Sequence, residues 1–115
     1  MTEIHVKRIY EPPAEGDGLR ILVDRIWPRG VSKARAAIDA WWKELAPSTE
    51  LRKQFDHDPA LWDEFRSRYS QQLDSADLSE ATAMIKDRRA TLLFATKEER
   101  YNNAVALREY LLGKI

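Results

Sequence analysis

Apolar and polar residues alternate from Ile4 to Ile9 ("IHVKRI"), the period of a strand with one wet face. The next stretch, "YEPPAEGDG", breaks that rhythm with two prolines, two glycines and interspersed acids, and Asp17-Gly18 is a strong turn signal. After it, "LRILVD" is a short continuous apolar run rich in branched residues, which predicts a central strand covered on both faces. Pro28 closes this element, because proline supplies no ladder donor and pushes Trp27 away from helical geometry.

The period then changes to that of helices. Ser32 is a candidate N-cap for a helix running to about Leu45, with Ala37, Ile38, Trp41, Trp42 and Leu45 on one face. Pro47 stops it, and Ser48 caps a short second helix, "TELRKQF". Asp58-Pro59 starts a third, which carries Trp62, Phe65, Tyr69 and Leu73 at intervals of three or four. Asp77 with Glu80 predicts a capping box for a fourth helix through Ile85. The tryptophans at 41, 42 and 62 fall on these faces and read as core.

Thr91 to Thr96, "TLLFAT", is the second buried strand. A final helix places Ala104, Leu107 and Leu111 on one face and ends at Gly113. Two strands separated by a long helical stretch imply a parallel pair with a crossover. The loop from Tyr10 to Gly18 is short for such a crossover, which leaves the first strand free to run antiparallel. The expected architecture is a single small α/β domain over residues 1–115, a short, mainly parallel sheet packed with about five helices.

Composition narrows the function classes. At 115 residues, with 43% hydrophobic and 33% charged positions, the chain suits one globular domain. Nineteen basic residues balance nineteen acidic ones, so no global field favours nucleic acid or membrane. There is no cysteine, which excludes disulfides, zinc ribbons and thiol nucleophiles. No apolar run approaches a membrane span, and the start lacks the apolar core of a signal peptide, so the expected location is cytoplasmic. No motif implies a cofactor or metal; "DHD" alone supplies adjacent ligands that cannot easily converge on one ion.

The charge is uneven locally. Between Leu19 and Arg35 five basic residues (Arg20, Arg25, Arg29, Lys33, Arg35) face one acid, Asp24. Two of them, Arg25 and Arg29, fall with Asp24 in "VDRIWPRG", where a buried strand runs into a rigid turn. In parallel α/β sheets ligands bind beyond the carboxyl ends of the strands, where helix N-termini also favour anions. Parallel strands would bring this turn beside the loop after the second strand, which holds Thr96, Lys97, Glu98, Asn102 and Asn103.

Each residue carries a chemical and a structural reading. Asp24 and His57, the latter between two acids in "FDHDP", are candidate acid–base groups; capping or pairing explains Asp24 better, and a surface position is common for such a histidine. Arg25, Arg29 and Lys33 are candidate anion ligands, Arg29 foremost because proline and glycine fix its turn. Trp27 suits ligand stacking or core packing. Asn102 and Asn103 suit ligand hydrogen bonding or capping of the last helix. His5 lies on the wet face of the first strand and reads as structural.

At "RILVDRIWPRG", "ELAPSTELRKQF" and "LLFATKEERYNNAVALREYL" the chain resembles the YeaO-like branch of domain-of-unknown-function family 488 (DUF488) over almost its whole length. The resemblance implies a single α/β domain and brings no reaction with it. Longer relatives carry a cysteine at the end of the last strand and a Cys-His-Arg motif soon after it. Here those places hold Ala95 and "YNNA", so thiol chemistry does not carry over. Asp24, Arg25, Trp27, Pro28, Arg29, Gly30, Lys97 and Asn102 match the branch's pattern, as does Ser48 to Arg52. The resemblance thus adds Thr49, Glu50 and Arg52 as candidates.

The expected function is a basic cleft for a small anionic ligand, bearing phosphate or carboxylate, with or without an attached reaction. The competing expectation is a non-catalytic module that binds a protein or nucleic acid through the same rim, nucleic acid being disfavoured by the zero net charge.

Overall fold

Four parallel strands form one sheet in the computed structural model, which describes residues 1–56 and 58–114. They are β1 (Glu3–Arg8), β2 (Leu19–Leu22), β3 (Ala40–Trp41) and β4 (Arg89–Phe94), in the spatial order β1-β4-β2-β3. The most apolar strand takes a central place: β4 is buried from Ala90 to Phe94. Its side chains divide with period two. Ala90, Leu92 and Phe94 join Ile21 and Val23 in the larger core, whereas Leu93 packs with Leu22 in a smaller one on the other side.

Helices α2 (Thr49–Phe55), α3 (Trp62–Asp74), α4 (Ser79–Ile85) and α5 (Asn103–Leu112) fill the larger core, and α1 (Lys33–Ala36) adds Ala36 to the smaller. The expected α/β class, parallel sheet and five helices are therefore present. Several helix starts use the predicted residues. Ser48 Oγ accepts the Leu51 N–H, Asp58 accepts the Ala60 N–H in a short turn leading into α3, and Asn102 Oδ1 accepts the Val105 N–H. At α4 the expected capping box is replaced by a local turn in which Asp77 accepts both the N–H and the hydroxyl of Ser79.

One point left open by the sequence is decided, and one expectation is corrected. The first strand is parallel to β4, with Glu3 opposite Arg89 and Arg8 opposite Phe94. The link from β1 to β2 needs to recross only about 15 Å of strand and the width of one intervening strand, about 5 Å on either side. The ten-residue link 9–18 could span roughly 33 Å if extended, so the crossover succeeds with no α-helix, only the 3-10 turn Glu15–Asp17.

The correction concerns Ser32 to Leu45. Only Lys33–Ala36 is α-helical, with a 3-10 turn at Lys43–Leu45, and Ala37 turns left-handed at φ 48°. Ala40 and Trp41 instead pair with Ile21 and Leu22 along the free edge of β2. Asp39 and Trp42 extend this seam by donating to the Arg20 and Leu22 carbonyls. The apolar spacing fitted one helix face, but the unpaired edge of β2 recruits the segment as a short strand.

The β1–β2 connection is anchored by an ionic knot. The Asp17 carboxylate accepts from the Ala14 N–H, from Lys7 Nζ at 3.0 Å and from Arg20 Nη1. Arg20 is buried within β2, and its remaining donors reach the Ala36 carbonyl. One of the five local cations is thus consumed inside the fold. Burial alone would raise the Asp17 pKa, but the Ala14 N–H and then Lys7 and Arg20 outweigh it and hold the carboxyl below its ordinary value.

Candidate functional site: a cationic cleft at the strand ends

The chain leaves β2 through Val23 and Asp24 into the turn that carries Arg25 to Gly30. Three side chains fix that turn, Trp41 and Tyr10 from outside it and Trp27 from within. Trp41 Nε1 donates to the Asp24 carbonyl at 2.7 Å, Trp27 Nε1 to the Val31 carbonyl at 2.7 Å, and the Tyr10 hydroxyl to the Arg29 carbonyl at 3.0 Å. The two indoles meet edge to face, 5.4 Å between centroids. Gly30 sits at φ 76° with open space around it, so the position requires glycine for its backbone geometry and not for room.

Asp24 joins this turn to the end of the next strand. Its carboxylate accepts the Ala95 N–H at 2.9 Å and the Asn103 amide at 3.0 Å, and Asn103 also donates to the Val23 carbonyl. The segments around residues 24–29 and 95–103 therefore meet at one edge of the sheet. Arg8, the last residue of β1, reaches the same place, donating to the Ala95 and Thr96 carbonyls.

A cleft of about 420 Å³ opens there. One wall is the turn, with Asp24, Arg25, Trp27 and Arg29. The opposite wall is the entry to α2, with Ala46, Pro47, Arg52 and Phe55, backed by Phe65 of α3. Tyr10, Ala95, Thr96 and Asn103 complete the lining at the strand ends. Three guanidinium-bearing residues and one carboxylate share this space.

The three arginines differ in use. Arg25 donates to the Pro47 carbonyl at 3.2 Å and the Ala46 carbonyl at 3.1 Å, welding the two walls together. Gln72 of α3 braces the same segment through the Ser48 N–H and the Ala46 carbonyl. Arg29 and Arg52 are exposed, and among the described residues no hydrogen bond or ion pair engages either guanidinium. Behind Phe65, the Tyr69 hydroxyl donates to the Leu45 carbonyl. Burial pushes this phenol well above its ordinary pKa, the nearby Asp24 charge adds to the rise, and Arg25 opposes it.

Among the sequence candidates, Asp24, Arg25, Arg29, Arg52 and Asn103 come together in the cleft. Lys33 and Lys97 are exposed and outside its lining. Asn102 is fully buried and spends its side chain on the Glu98 carbonyl and the Val105 N–H, so it shapes the loop without reaching the cleft. His57 lies outside the described residues. Sequence reading overlooked Tyr10, Phe55 and Phe65 as lining, and Arg8 and Gln72 as braces. Phe55 and Phe65 had a usable signal, since each precedes or lies opposite a wall of the turn on an apolar helix face; the two braces had none.

A family model for the inactive DUF488-N3 subclade matches residues 3–115. The chain belongs to that family. The similar proteins include uncharacterized protein YeaO of Escherichia coli K12, 40% identical over 110 residues that cover 94% of this chain and 96% of that one. Uncharacterized protein Rv3073c of Mycobacterium tuberculosis H37Rv is 40% identical over 114 residues, covering 98% and 97%. No solved structure matches. Within this DUF488 domain, no helix among the described residues is long and apolar enough to cross a membrane.

Proposed function

We propose that this DUF488-family chain is a ligand-binding domain that takes a small phosphate- or carboxylate-bearing molecule in the cleft at the strand ends, without turning it over. The observation that carries the reading is the pair Arg29 and Arg52: two exposed guanidinium groups on facing walls, with no engagement among the described residues. A guanidinium is a planar fork suited to carboxylate and phosphate oxygens. Arg25 is the structural counterpart, already committed to backbone carbonyls.

Binding without turnover is favoured by the family's description as an inactive subclade and by Ala95, a methyl group in the lining where longer relatives carry a cysteine. Asp24 supports the same reading, because its oxygens hold the Ala95 N–H and Asn103.

The test is a thermal-shift screen of phosphates, nucleotides and organic acids on the wild type and Arg29→Ala. A ligand at a hundredfold excess over its Kd stabilises the folded state by about 2.7 kcal/mol. The expected result is stabilisation of the wild type that is lost or sharply reduced in Arg29→Ala. Equal stabilisation of both proteins removes Arg29 from the site. Binding that instead appears only with polyanions and collapses steeply with salt would favour the nucleic-acid rim.

A further inference from the structure

The cleft is polarised along its depth, and this bears on what it binds. Arg29 and Arg52 are exposed and stand at the mouth. Further in, the lining turns apolar: Phe55 is 4% exposed, Phe65 3% and Ala46 0%. The acid in the lining, Asp24, lies at the strand ends beside Ala95. Arg25 offers little to a second anion, since its Nε and Nη2 are committed to the Pro47 and Ala46 carbonyls.

Resting on the proposed function above, we infer that the ligand is an amphipathic anion, with one anionic group held at the mouth by Arg29 and Arg52 and an apolar, ring-sized body lying inward against Phe55 and Phe65. A volume of about 420 Å³ is within the range of small-molecule sites and exceeds what a bare anion fills. A bare anion would leave the aromatic wall wet. A molecule charged at both ends would place its second charge among apolar side chains and near Asp24, where desolvation and like-charge repulsion both oppose it.

The test uses four probes of graded chemistry on the full chain at fixed ionic strength: propionate, 3-phenylpropionate, 3-phenylpropanamide and 3-(4-carboxyphenyl)propionate. Binding is followed by calorimetry and by intrinsic tryptophan fluorescence, to which Trp27 at the cleft wall contributes with the three other tryptophans. The phenyl acid is expected to bind roughly ten- to a hundredfold tighter than propionate, the gain that burial of one ring supports. The neutral amide and the diacid are expected to lose most of that gain. Arg29→Ala and Arg52→Ala should each weaken the phenyl acid while leaving the amide unchanged. Equal affinity for propionate and the phenyl acid, both weakened by Arg29→Ala, would leave an anion site standing and overturn the apolar body. A diacid that binds as tightly as the phenyl acid overturns the inward polarity. No binding of any acid, nor of inorganic phosphate, overturns this inference and the proposed function together.

Discussion

Replacing Asp24 by asparagine keeps the shape of the side chain and reverses the hydrogen-bonding sense of one of its two ends. The native carboxylate faces donors on both sides, the Ala95 N–H and the Asn103 amide. An asparagine must turn its own NH₂ toward one of them. Rotating Asn103 gives no escape, because its Nδ2 also donates to the Val23 carbonyl at 3.0 Å, and the flipped amide would set oxygen against oxygen there. At least one donor is therefore left facing a donor. An unsatisfied buried group costs about 1–3 kcal/mol. Both residues are half-buried, so a figure near the middle, about 2 kcal/mol, is expected. For a chain of this size that corresponds to a fall in Tm of roughly 6–12 °C and a drop in urea midpoint on the order of 1 M. Equilibrium unfolding in urea, followed by tryptophan fluorescence, measures it. Asp24→Ala is the control: it removes both acceptors but admits water and creates no donor–donor contact, so it should cost no more than the isosteric change. An Asp24→Asn protein within 0.5 kcal/mol of the wild type would refute the fastening role assigned to this carboxylate.

Other substitutions test separate parts of the structure. Asp17→Ala strands the buried Arg20 and should cost about 3–5 kcal/mol in urea unfolding, whereas Lys7→Ala leaves the Asp17–Arg20 pair intact and should cost clearly less. Because the folded Asp17 carboxyl lies below its ordinary value, its contribution is present above the unfolded pKa and is lost as pH falls through the folded one. The stability gap between wild type and Asp17→Asn should therefore narrow in acid below about pH 4; a gap that is constant from pH 7 to pH 2.5 contradicts the assignment. Gly18→Ala should be severely destabilising, since the residue sits at φ 64° and a Cβ would overlap the Arg89 carbonyl; near-native melting would show that the β1–β2 link tolerates another path. Arg29→Ala without ligand should change stability by no more than about 0.5 kcal/mol, and a loss of several kcal/mol would mean that its guanidinium is structural.

The elements that could be read from the chain were those whose pattern is local. "LRILVD" and "TLLFAT" announce buried strands through continuous apolar character, and α3 and α5 through long helical periodicity and clear caps. The region from Ala37 to Leu45 misled because its apolar spacing fits a helix while its fate depends on the unpaired edge of β2, which no local pattern records. The direction of β1 was hidden for a similar reason: it follows from the reach of a ten-residue link and from the position of β4, both matters of three-dimensional distance. At the site, the charged turn marked one wall, and Arg52 was singled out only by family resemblance. The division of labour among the arginines was not legible. Arg20, Arg25 and Arg29 look alike in sequence, and only packing reveals that the first is locked to Asp17, the second to carbonyls, and the third to neither.

The placement of β4 between β1 and β2 has a consequence for how the molecule comes into being. β1 and β2 share no pairing with each other; β1 has no strand partner until residues 89–94 are made, and until then β2 has only the two-residue β3 at its other edge. A nascent chain lacking β4 has only the short β2–β3 pairing to build on, and its early apolar stretches stay exposed to chaperones or proteases until residues 89–94 have been made. Such non-local wiring slows folding, and it makes any message or frameshift that stops short of Phe94 a source of unstructured product instead of a smaller working domain.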